Sequence, residues 1–468
     1  MKKKYWTIIV GGGPSGMAAA LELYRAKKDF ILIEKCSAIG GLSKTLIFKE
    51  KELEFRTDIG PHRFYTKNDH IDKIVKGLTQ EKLLVVKRST RQFIDGKFFD
   101  YPINSKQILK NLGIMMVTHI IVDYFLSVIK YRLLKKPIIT FYDYAVANFG
   151  KTLANFNIIN YTEKIWGMPT NSLSADWAKH RIKGLSLLSV IKKIVEDNLF
   201  IKSKSEIKTL VETFFYPEIG AGFIYEQIRN NIERGGYDIL LNRYPTKIIH
   251  DNYQIKAIQL NVNGDSEVSI GLEYLIESIT ITDFLNLLYP SPPKHILEAA
   301  SKLHYRSQVY LFITIDLPKI TEDQWIYFPD KDVPFARISE MKNFSCSMSP
   351  LNKTSLLVEF FCNREDKMYN LEKEELFELV LPYLERYGFF KRKDVRKYYK
   401  FKGYKDYPIY DLAYQLNLET IKRYLDAFEN LYYIGRPGRF EYTSQDQSIE
   451  MGINAAKSII NKHENKIY

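Results

Sequence analysis

The sequence predicts an α/β fold with one parallel sheet, a helical insert and a second, sheet-bearing domain. Residues 1–45 follow the order of a βαβ unit, with an apolar run, a glycine-rich turn, a helical stretch and a second apolar run. Residues 107–200 carry mostly helical patterns. From His304 onward, long runs of β-branched and aromatic residues predict strands. These observations indicate an α/β protein with inserted domains.

The first strand and its loop carry the strongest local motif. The apolar run from Trp6 to Val10 predicts a buried parallel strand, and Gly11, Gly13 and Gly16 follow in G-x-G-x-x-G spacing. Such glycines allow a tight turn, a close backbone approach to a pyrophosphate and close helix–strand packing. The helix that follows presents its N-terminus, where an anion is favoured. The loop therefore predicts dinucleotide binding.

A second apolar run ends at Glu34, about twenty residues after the glycines, where a carboxylate can accept the ribose hydroxyls. Strand, glycines, helix and acid together predict a Rossmann-like domain. Gly40 and Gly41 follow the acid closely and suggest a second close backbone approach to a bulky cofactor. This pair resembles the motif that holds FAD in two-dinucleotide-binding-domain flavoproteins.

The βαβ character returns after the helical stretch and again at the C-terminus, so the first domain is expected to be discontinuous. PEIGAGFIYEQI predicts a turn and helix, and NLYYIGRPGRF predicts a strand entering a Gly/Pro loop. We assign residues 1–75, 205–285 and 428–468 to a Rossmann-like FAD-binding domain. Residues 76–204 form a mainly helical insert, and residues 286–427 form a sheet-bearing substrate domain.

The composition suits a cytoplasmic protein with an anionic substrate. The chain has 468 residues and a net charge of +13, which favours a nucleotide diphosphate or an anionic membrane surface. Its cysteines, Cys36, Cys346 and Cys362, form no metal-binding spacing and no disulfide framework. The N-terminal MKKK runs directly into a strand, which is not the pattern of a signal peptide. We expect no metal site and no nucleic-acid partner.

One stretch, LGIMMVTHIIVDYFLSVIKYRLLKK, is mostly apolar over a length that could cross a bilayer. It contains His119, Asp123 and Lys130, which make it a poor membrane span. We interpret it as a core helix or an interfacial helix. Peripheral contact with the inner membrane face therefore stays open.

Five segments resemble the UDP-galactopyranose mutase family, chiefly its bacterial form. The glycine motif is shared with many flavoproteins, whereas GPHRFYT is similar to the family's G-P-H-I-F-H-T. YTEKIWG at 161–167 is nearly the family's Y-T-E-K-Q-W-G, and DGKFFDYPIN, with an Asp95-Gly96 hairpin signal, is similar to a strand pair ending in Pro-x-Asn. The fifth comprises VPFARISEMKNF together with GRPGRFEYTSQDQ, which are similar to two stretches of the family that carry arginines. The motifs together are more specific than any one of them.

The resemblance implies the site residues. Arginine suits a diphosphate because its guanidinium is planar and always charged. The expected catalytic residues are His62, Arg337 and Arg436. The expected substrate-binding residues are these two arginines with Asn104, Tyr161, Trp166, Arg181, Tyr407 and Tyr442. The expected cofactor-binding residues are Gly11, Gly13, Ser15, Gly16, Glu34, Lys35, Gly41, Leu42, Gly60, His62, Gly435, Asp446 and Gln447.

The resemblance also implies a reaction. In the family, reduced FAD interconverts the pyranose and furanose forms of a UDP-sugar through an adduct between flavin N5 and the sugar. The product serves cell-surface polysaccharide synthesis, and NAD(P)H is the expected reductant. No protein nucleophile is needed, in agreement with a sequence that lacks a Ser-His-Asp arrangement. A homo-oligomer stays open.

Several positions depart from the family pattern. Tyr65 replaces the second histidine of G-P-H-I-F-H-T, Arg63 replaces its isoleucine, and Ser444 stands where the family has aspartate. The GAGF turn also looks more like the amine-oxidase and protoporphyrinogen-oxidase branch. An FAD-dependent oxidoreductase of that type is therefore the alternative to a mutase.

Overall fold

The computed structural model describes residues 2–101, 105–181, 212–261 and 267–464. Two eight-stranded sheets dominate this part of the chain. Their strands come from interleaved parts of the sequence, and apolar clusters fill the space between each sheet and its helices.

The first sheet is the predicted Rossmann-like sheet. Its strands are β1 (Lys4–Val10), β2 (Phe30–Ile33), β9 (Ile239–Leu240), β10 (Tyr244–Asp251), β11 (Gln254–Asn261), β12 (Glu267–Glu277), β13 (Leu288–Tyr289) and β20 (Leu431–Tyr433). They follow the order β13-β10-β11-β12-β1-β2-β9, and β20 also pairs with β12. β1 is parallel to both β2 and β12, and β20 is parallel to β12. The parallel centre confirms the predicted α/β fold.

Helices cover both faces of this sheet, because β1, β2 and the end of β12 are apolar on both sides. They are α1 (Pro14–Arg25), α2 (Asp69–Thr79), α8 (Phe223–Arg234), α9 (Ile281–Leu287), α10 (Lys294–Ser301), α13 (Tyr414–Leu425) and α15 (Gln445–Glu464). The C-terminal helix α15 packs along α1, which confirms that the end of the chain returns to the first strand.

The second sheet supplies the other wall of the site. Its strands are β6 (Thr90–Ile94), β7 (Lys97–Asp100), β14 (Tyr305–Ile315), β15 (Trp325–Tyr327), β16 (Arg337–Glu340), β17 (Thr354–Cys362), β18 (Val395–Lys402) and β19 (Tyr407–Pro408). They follow the order β18-β14-β17-β16-β15-β6-β7, with β19 paired to β14. Helices α11 (Lys367–Asn370) and α12 (Lys373–Arg386) accompany it. β6 and β7 lie in the predicted helical insert yet pair with this sheet, and the domain boundaries stay a prediction.

Short hairpins match their sequence signals. Asp95 and Gly96 both have positive φ, +48° and +74°, as the tight turn between β6 and β7 requires. β3 (Thr45–Glu50) pairs with β4 (Leu53–Asp58), as the alternation predicts, and β5 (Leu83–Lys87) pairs with β8 (Thr213–Pro217). The turn after β8 packs on Thr45, since a Cβ at Gly220 or Gly222 would lie 2.3 or 2.5 Å from that residue.

Helices fill much of residues 105–181, as predicted, and the rest of the predicted helical stretch lies outside the described residues. They are α3 (Ser105–Val128), α4 (Phe141–Phe149), α5 (Lys151–Leu153), α6 (Asn160–Trp166) and α7 (Asp176–Arg181), with π-helical turns at Ile129–Leu133 and Ala154–Ile159. Short 3₁₀ turns occur at Gly41–Ser43, Gln80–Lys82, Met341–Asn343, Cys346–Met348 and Arg392–Asp394.

The structure corrects two expectations. The GRPGRF segment, predicted as a loop, forms the short helix α14 (Gly435–Arg439), where Pro437 sits in the first turn and needs no N–H donor. The apolar helix is not a core helix, because only 17% of its most apolar 18-residue stretch is buried. Among the described residues, Gly113–Leu133 is the one helix long and apolar enough to cross a membrane by length and composition.

Candidate active site

The glycine loop is tightly packed at Gly16 and leaves open space beside Gly13. A Cβ on Gly16 would lie 1.9 Å from the carbonyl oxygen of Gly11, so helix and turn pack too closely for any side chain there. Gly11 itself has a φ of +100°. At Gly13, by contrast, the nearest atom to such a Cβ would be 3.9 Å away. The open side of Gly13 suits a pyrophosphate that passes along the backbone.

Glu34 ends β2 beside this loop. Its Oε2 accepts a hydrogen bond from the backbone N–H of Gly12 at 2.7 Å, and its Oε1 accepts one from Cys36 at 2.8 Å. Each carboxylate oxygen keeps a free lone pair, so ribose hydroxyls can still bind. Lys35 is exposed, with its ammonium 5.8 Å from the ring centroid of Tyr244. A cofactor role for Lys35 stays a prediction.

The second glycine pair lies against the first loop. The backbone N–H of Gly40 donates to the carbonyl of Gly12 at 2.7 Å. A Cβ on Gly41 would lie 3.0 Å from the Cα of Gly13, and Gly41 has a φ of +53°. The two loops therefore form one continuous glycine-lined edge, which extends to Leu42.

The C-terminal segment closes the other side. Gly435 has a φ of +77°, and a Cβ there would lie 2.4 Å from Oγ of Ser15. The side chains of Asp446 and Gln447 both accept hydrogen bonds from the Ser444 hydroxyl, at the start of α15. These contacts give both side chains a structural role at the helix N-terminus, and their cofactor role stays a prediction.

Arg337 belongs to a buried ion pair that crosses the second sheet. β16 and β17 pair in a register that sets Arg337 directly opposite Glu359. Nε and Nη2 of the arginine each donate to a carboxylate oxygen at 2.6 Å. The side chain of Arg337 is 12% exposed and that of Glu359 is 0% exposed. Burial opposes the charge of Arg337, but the carboxylate outweighs it and holds its pKa well above the usual value.

Neighbouring residues hold this pair in place. Gln308 donates from Nε2 to Oε2 of Glu359 at 3.3 Å, and the Tyr310 hydroxyl donates to Gln308. Gly60 has a φ of +88°, and a Cβ there would lie 3.4 Å from both Arg337 and Glu359. The guanidinium uses one edge for the carboxylate, and its remaining N–H groups can donate to a ligand.

Arg436 keeps its charge beside neutral partners. Its Nε donates to the carbonyl oxygen of Thr443 at 3.1 Å, and its Nη2 donates to the same oxygen. The guanidinium carbon lies 5.1 Å from the ring centroid of Tyr407 and 4.7 Å from that of Tyr442. Two aromatic faces and a carbonyl orient Arg436 without neutralising it.

His62 lies within the electrostatic reach of both arginines. Its Nε2 lies 2.9 Å from the carbonyl oxygen of Ile59, which accepts a hydrogen bond in the tautomer that carries the proton on this nitrogen. Burial chiefly, then the charges of Arg436 and Arg337, lower the pKa of His62 to about 4. The backbone of Leu42 is a further hydrogen-bonding neighbour. A neutral His62 thus connects the glycine-lined edge to the arginines.

An aromatic wall continues from Tyr407 and Tyr442. These rings stack at 5.7 Å and 18°, and Trp177 stacks on Tyr442 at 5.5 Å and 22°. Trp166 meets Trp177 edge to face at 5.5 Å and is 3% exposed. Trp166 therefore packs behind the wall, while Tyr407, Tyr442 and Trp177 form its layered part.

Tyr161 lies on the side of Arg337. Its ring meets that of Tyr327 edge to face at 5.2 Å, and Tyr327 is 5.9 Å from the guanidinium of Arg337. The strand register pairs Tyr327 with Arg337. The sequence motif YTEKIWG therefore presents Tyr161 towards one arginine and Trp166 towards the aromatic wall beside the other.

Buried carboxyl groups lie close to this site. Burial raises the pKa of Asp406, the residue before Tyr407, to about 7, although backbone contacts and the charge of Arg436 oppose the shift. Burial also raises the pKa of Asp58 to about 7. Asp58 accepts hydrogen bonds from Thr45 at 2.6 Å and Tyr216 at 2.7 Å, so it joins β4, β3 and β8.

Some predicted residues stand apart and some neighbours are new. Asn104 lies outside the described residues, and Arg181 ends α7 with a side chain that also lies outside them. Sequence reasoning missed Glu359, Tyr327 and Trp177. The family-like VPFARI segment pointed to Arg337, but a partner from another strand carries no local signal. Trp177 lies in SADWAKHR, outside the segments that resemble the family motifs.

Comparisons with known proteins support the resemblance. Residues 9–78 match the model of the NAD(P)-binding Rossmann-like domain, and residues 232–394, about a third of the chain, match that of UDP-galactopyranose mutase. The structure of a reduced UDP-galactopyranose mutase is similar with a TM-score of 0.81 and 21% identity, over 98% of this chain and 94% of that one. The resemblance that the motifs predict is thereby confirmed.

Two proteins named as oxidases are similar as well. A protein from Exiguobacterium assigned as a protoporphyrinogen oxidase has a TM-score of 0.70 and 16% identity, with 99% of this chain and 100% of that one covered. The cyclohexylamine oxidase of Brevibacterium oxydans has a TM-score of 0.66 and 13% identity, with 98% and 100% covered. At these identities the likeness concerns the fold. The chain therefore shares a domain match with UDP-galactopyranose mutase over residues 232–394 and a fold with that enzyme and with these oxidases.

Proposed function

We propose that the protein is an FAD-dependent mutase that interconverts the pyranose and furanose forms of a UDP-sugar. One observation carries the proposal: Arg436, oriented but not neutralised, lies beside stacked tyrosines and within the electrostatic reach of His62. A fixed guanidinium and aromatic faces suit a nucleotide diphosphate. The products would serve cell-surface polysaccharide synthesis.

The residues of the glycine-lined edge fit FAD. Gly13 leaves a path for a pyrophosphate, and Glu34 can accept ribose hydroxyls while two backbone N–H groups hold it. The N-terminus of α1 favours the negative charge of the pyrophosphate. When bound and reduced, FAD supplies the nucleophile that a mutase needs at the anomeric carbon.

The protein's own residues then position and release the diphosphate. Arg436 offers its remaining N–H groups to the leaving phosphate, and the rings of Tyr407 and Tyr442 hold its guanidinium in position. Arg337 contributes donors from the edge that Glu359 leaves free. A neutral His62 can contact a ligand between the glycine-lined edge and the arginines without adding charge.

Binding and product analysis test this proposal. We expect UDP and UDP-hexoses to bind, a UDP-sugar to bind more tightly after dithionite reduction, and reduced protein to change the ring form of the sugar. Each reduction should support many turnovers. Stoichiometric consumption of NAD(P)H or oxygen per product, or no UDP binding in either redox state, contradicts a mutase.

The second candidate is an FAD-dependent oxidoreductase of the amine-oxidase type. A specific observation favours it. Arg337 and Glu359 form a buried ion pair, so one of the two arginines expected to bind the diphosphate carries little net charge. An oxidase would consume oxygen with an amine or similar substrate and would not bind UDP. The binding experiment above therefore separates the candidates.

NAD(P)H as reductant, a cytoplasmic location, a homo-oligomer and the predicted domain boundaries remain proposals. The first is checked by anaerobic bleaching of the flavin absorbance with NADH and NADPH. The domain boundaries can be checked by limited proteolysis, where cleavage should concentrate near the predicted junctions.

A further inference from the structure

The helix from Gly113 to Leu133 exposes apolar side chains along its outer face. In soluble proteins the outer side of a packed helix is usually polar, so a mostly apolar face, interrupted here by exposed Thr118 and His119, indicates an interaction surface. Phe125 is 61% exposed and Leu126 is 57% exposed. The exposed large apolar residues of this face, termed the apolar ridge, are Ile114, Met115, Ile121, Val122, Phe125, Leu126, Ile129, Leu133 and Leu134.

The opposite side of the helix holds it against the protein. Ile120, Tyr124, Ser127 and Tyr131 are buried at helical spacing. A Cβ on Gly150 would lie 2.8 Å from the backbone nitrogen of Tyr124, so the helix contacts the turn before α5 closely. Because one side is fixed along its length, the helix lies flat on the surface and cannot stand upright in a bilayer.

The polar groups of this segment are distributed unevenly. Asp123 is the only carboxylate between Gly113 and Ile139, and it accepts hydrogen bonds from Thr152 on the protein side. Lys130, Arg132 and Lys135 are exposed at the C-terminal end of the ridge. Exposed cations beside an apolar face complement an anionic lipid surface.

We propose that the apolar ridge docks in the plane of an anionic lipid bilayer. The ridge extends over about 30 Å at 1.5 Å per residue, and exposed Ile138 and Ile139 continue it beyond the basic cluster. A second copy of this chain packed against the ridge through the same segment would place cations next to cations, because this segment has no free carboxylate to pair with them. A lipid surface supplies both apolar chains and anionic headgroups. The proposal is independent of the proposed mutase activity.

Vesicle sedimentation tests the proposal with the full chain. The wild type should sediment with phosphatidylcholine vesicles that contain phosphatidylglycerol, and less with pure phosphatidylcholine vesicles or at high salt. Phe125→Ser with Leu126→Ser should weaken partitioning by at least about tenfold. Replacing Lys130, Arg132 and Lys135 by glutamine should weaken it by about fivefold per charge.

A matched control uses exposed leucines elsewhere. Leu351 and Leu416 are 84% and 73% exposed, and changing both to serine should leave vesicle binding unchanged. Thermal melting checks that all variants fold. Wild type that stays in the supernatant with anionic vesicles, or ridge variants that bind like wild type, would overturn the proposal. A dimer that Phe125→Ser with Leu126→Ser converts to monomer, without vesicle binding, would assign the ridge to a second copy instead.

Discussion

Replacing Arg436 tests the proposed substrate class most directly. The guanidinium is held by the Thr443 carbonyl and by the rings of Tyr407 and Tyr442, all neutral groups. If it binds a diphosphate, Arg436→Ala removes charge-assisted hydrogen bonds worth about 1.5–3 kcal/mol each. Loss of one such bond weakens UDP binding by about 10- to 100-fold.

The same substitution changes stability only slightly. Removing the guanidinium costs the two rings a cation–π contact of about 0.5–2 kcal/mol, and it also removes the positive charge that favours the ionised form of buried Asp406. Arg436→Lys keeps the charge but loses the planar fork, so it should recover only part of the affinity. The flavin content of both variants should stay near that of the wild type.

Calorimetric titration with UDP, before and after reduction, provides the measurement. Arg439→Ala is the matched control, because Arg439 lies on the same short helix and pairs with Glu441 at 3.2 Å. It should bind UDP like the wild type. Unchanged UDP affinity in Arg436→Ala, with normal flavin content, would refute the assignment of Arg436 to a diphosphate. Equal losses in the Arg436 and Arg439 variants would indicate a general charge effect.

The remaining predictions concern the cofactor edge, the ion pair and pH. Gly13→Val should abolish flavin binding measured by absorbance, whereas Gly77→Val, at an open position on α2, should not. Arg337→Ala should lower the unfolding free energy by roughly 3–5 kcal/mol because Glu359 stays buried and unpaired, and adding Glu359→Ala should restore much of it in denaturant titrations without restoring UDP affinity. The pKa of Asp58, raised to about 7 in the folded state, means that the native protein binds the extra proton between pH 4 and 7. The stability contribution of Asp58 is therefore present below its unfolded pKa and lost, by up to about 4 kcal/mol, as pH rises through the folded value. Asp58→Asn should remove this part of the slope in melts recorded across that range, and an unchanged slope would contradict the assignment.

The local signals in the sequence predicted the tight backbone of the two glycine loops, and their cofactor role stays a prediction. Close backbone contacts or a positive φ require glycine at Gly11, Gly16 and Gly41. These requirements are local, so the spacing of a few neighbouring residues indicates them. Strand alternation and the Asp95-Gly96 turn are equally local, so the hairpins followed from the sequence. The segments that resemble the mutase family also pointed to Arg337 and Arg436, because each arginine lies within one of these segments.

Tertiary structure alone decided the electrostatic state of those arginines. Strand register sets Arg337 opposite Glu359, while the fold leaves Arg436 among neutral groups. Pairing between strands depends on the whole sheet, and neither residue's neighbours in sequence specify it. Likewise, Trp177 joined the aromatic wall only through the packing of α7 against the C-terminal segment.

For the apolar helix, too, the sequence predicted one part and the tertiary structure decided the rest. Its sequence predicted a mostly apolar helix that contains His119, Asp123 and Lys130, which fits a core helix or an interfacial helix better than a membrane span. Only the packing of Ile120, Tyr124 and Tyr131 against the protein decided which side is buried. A helix without an intrinsic polar face acquires its inner and outer sides from its neighbours, so exposure of the ridge is a property of the fold.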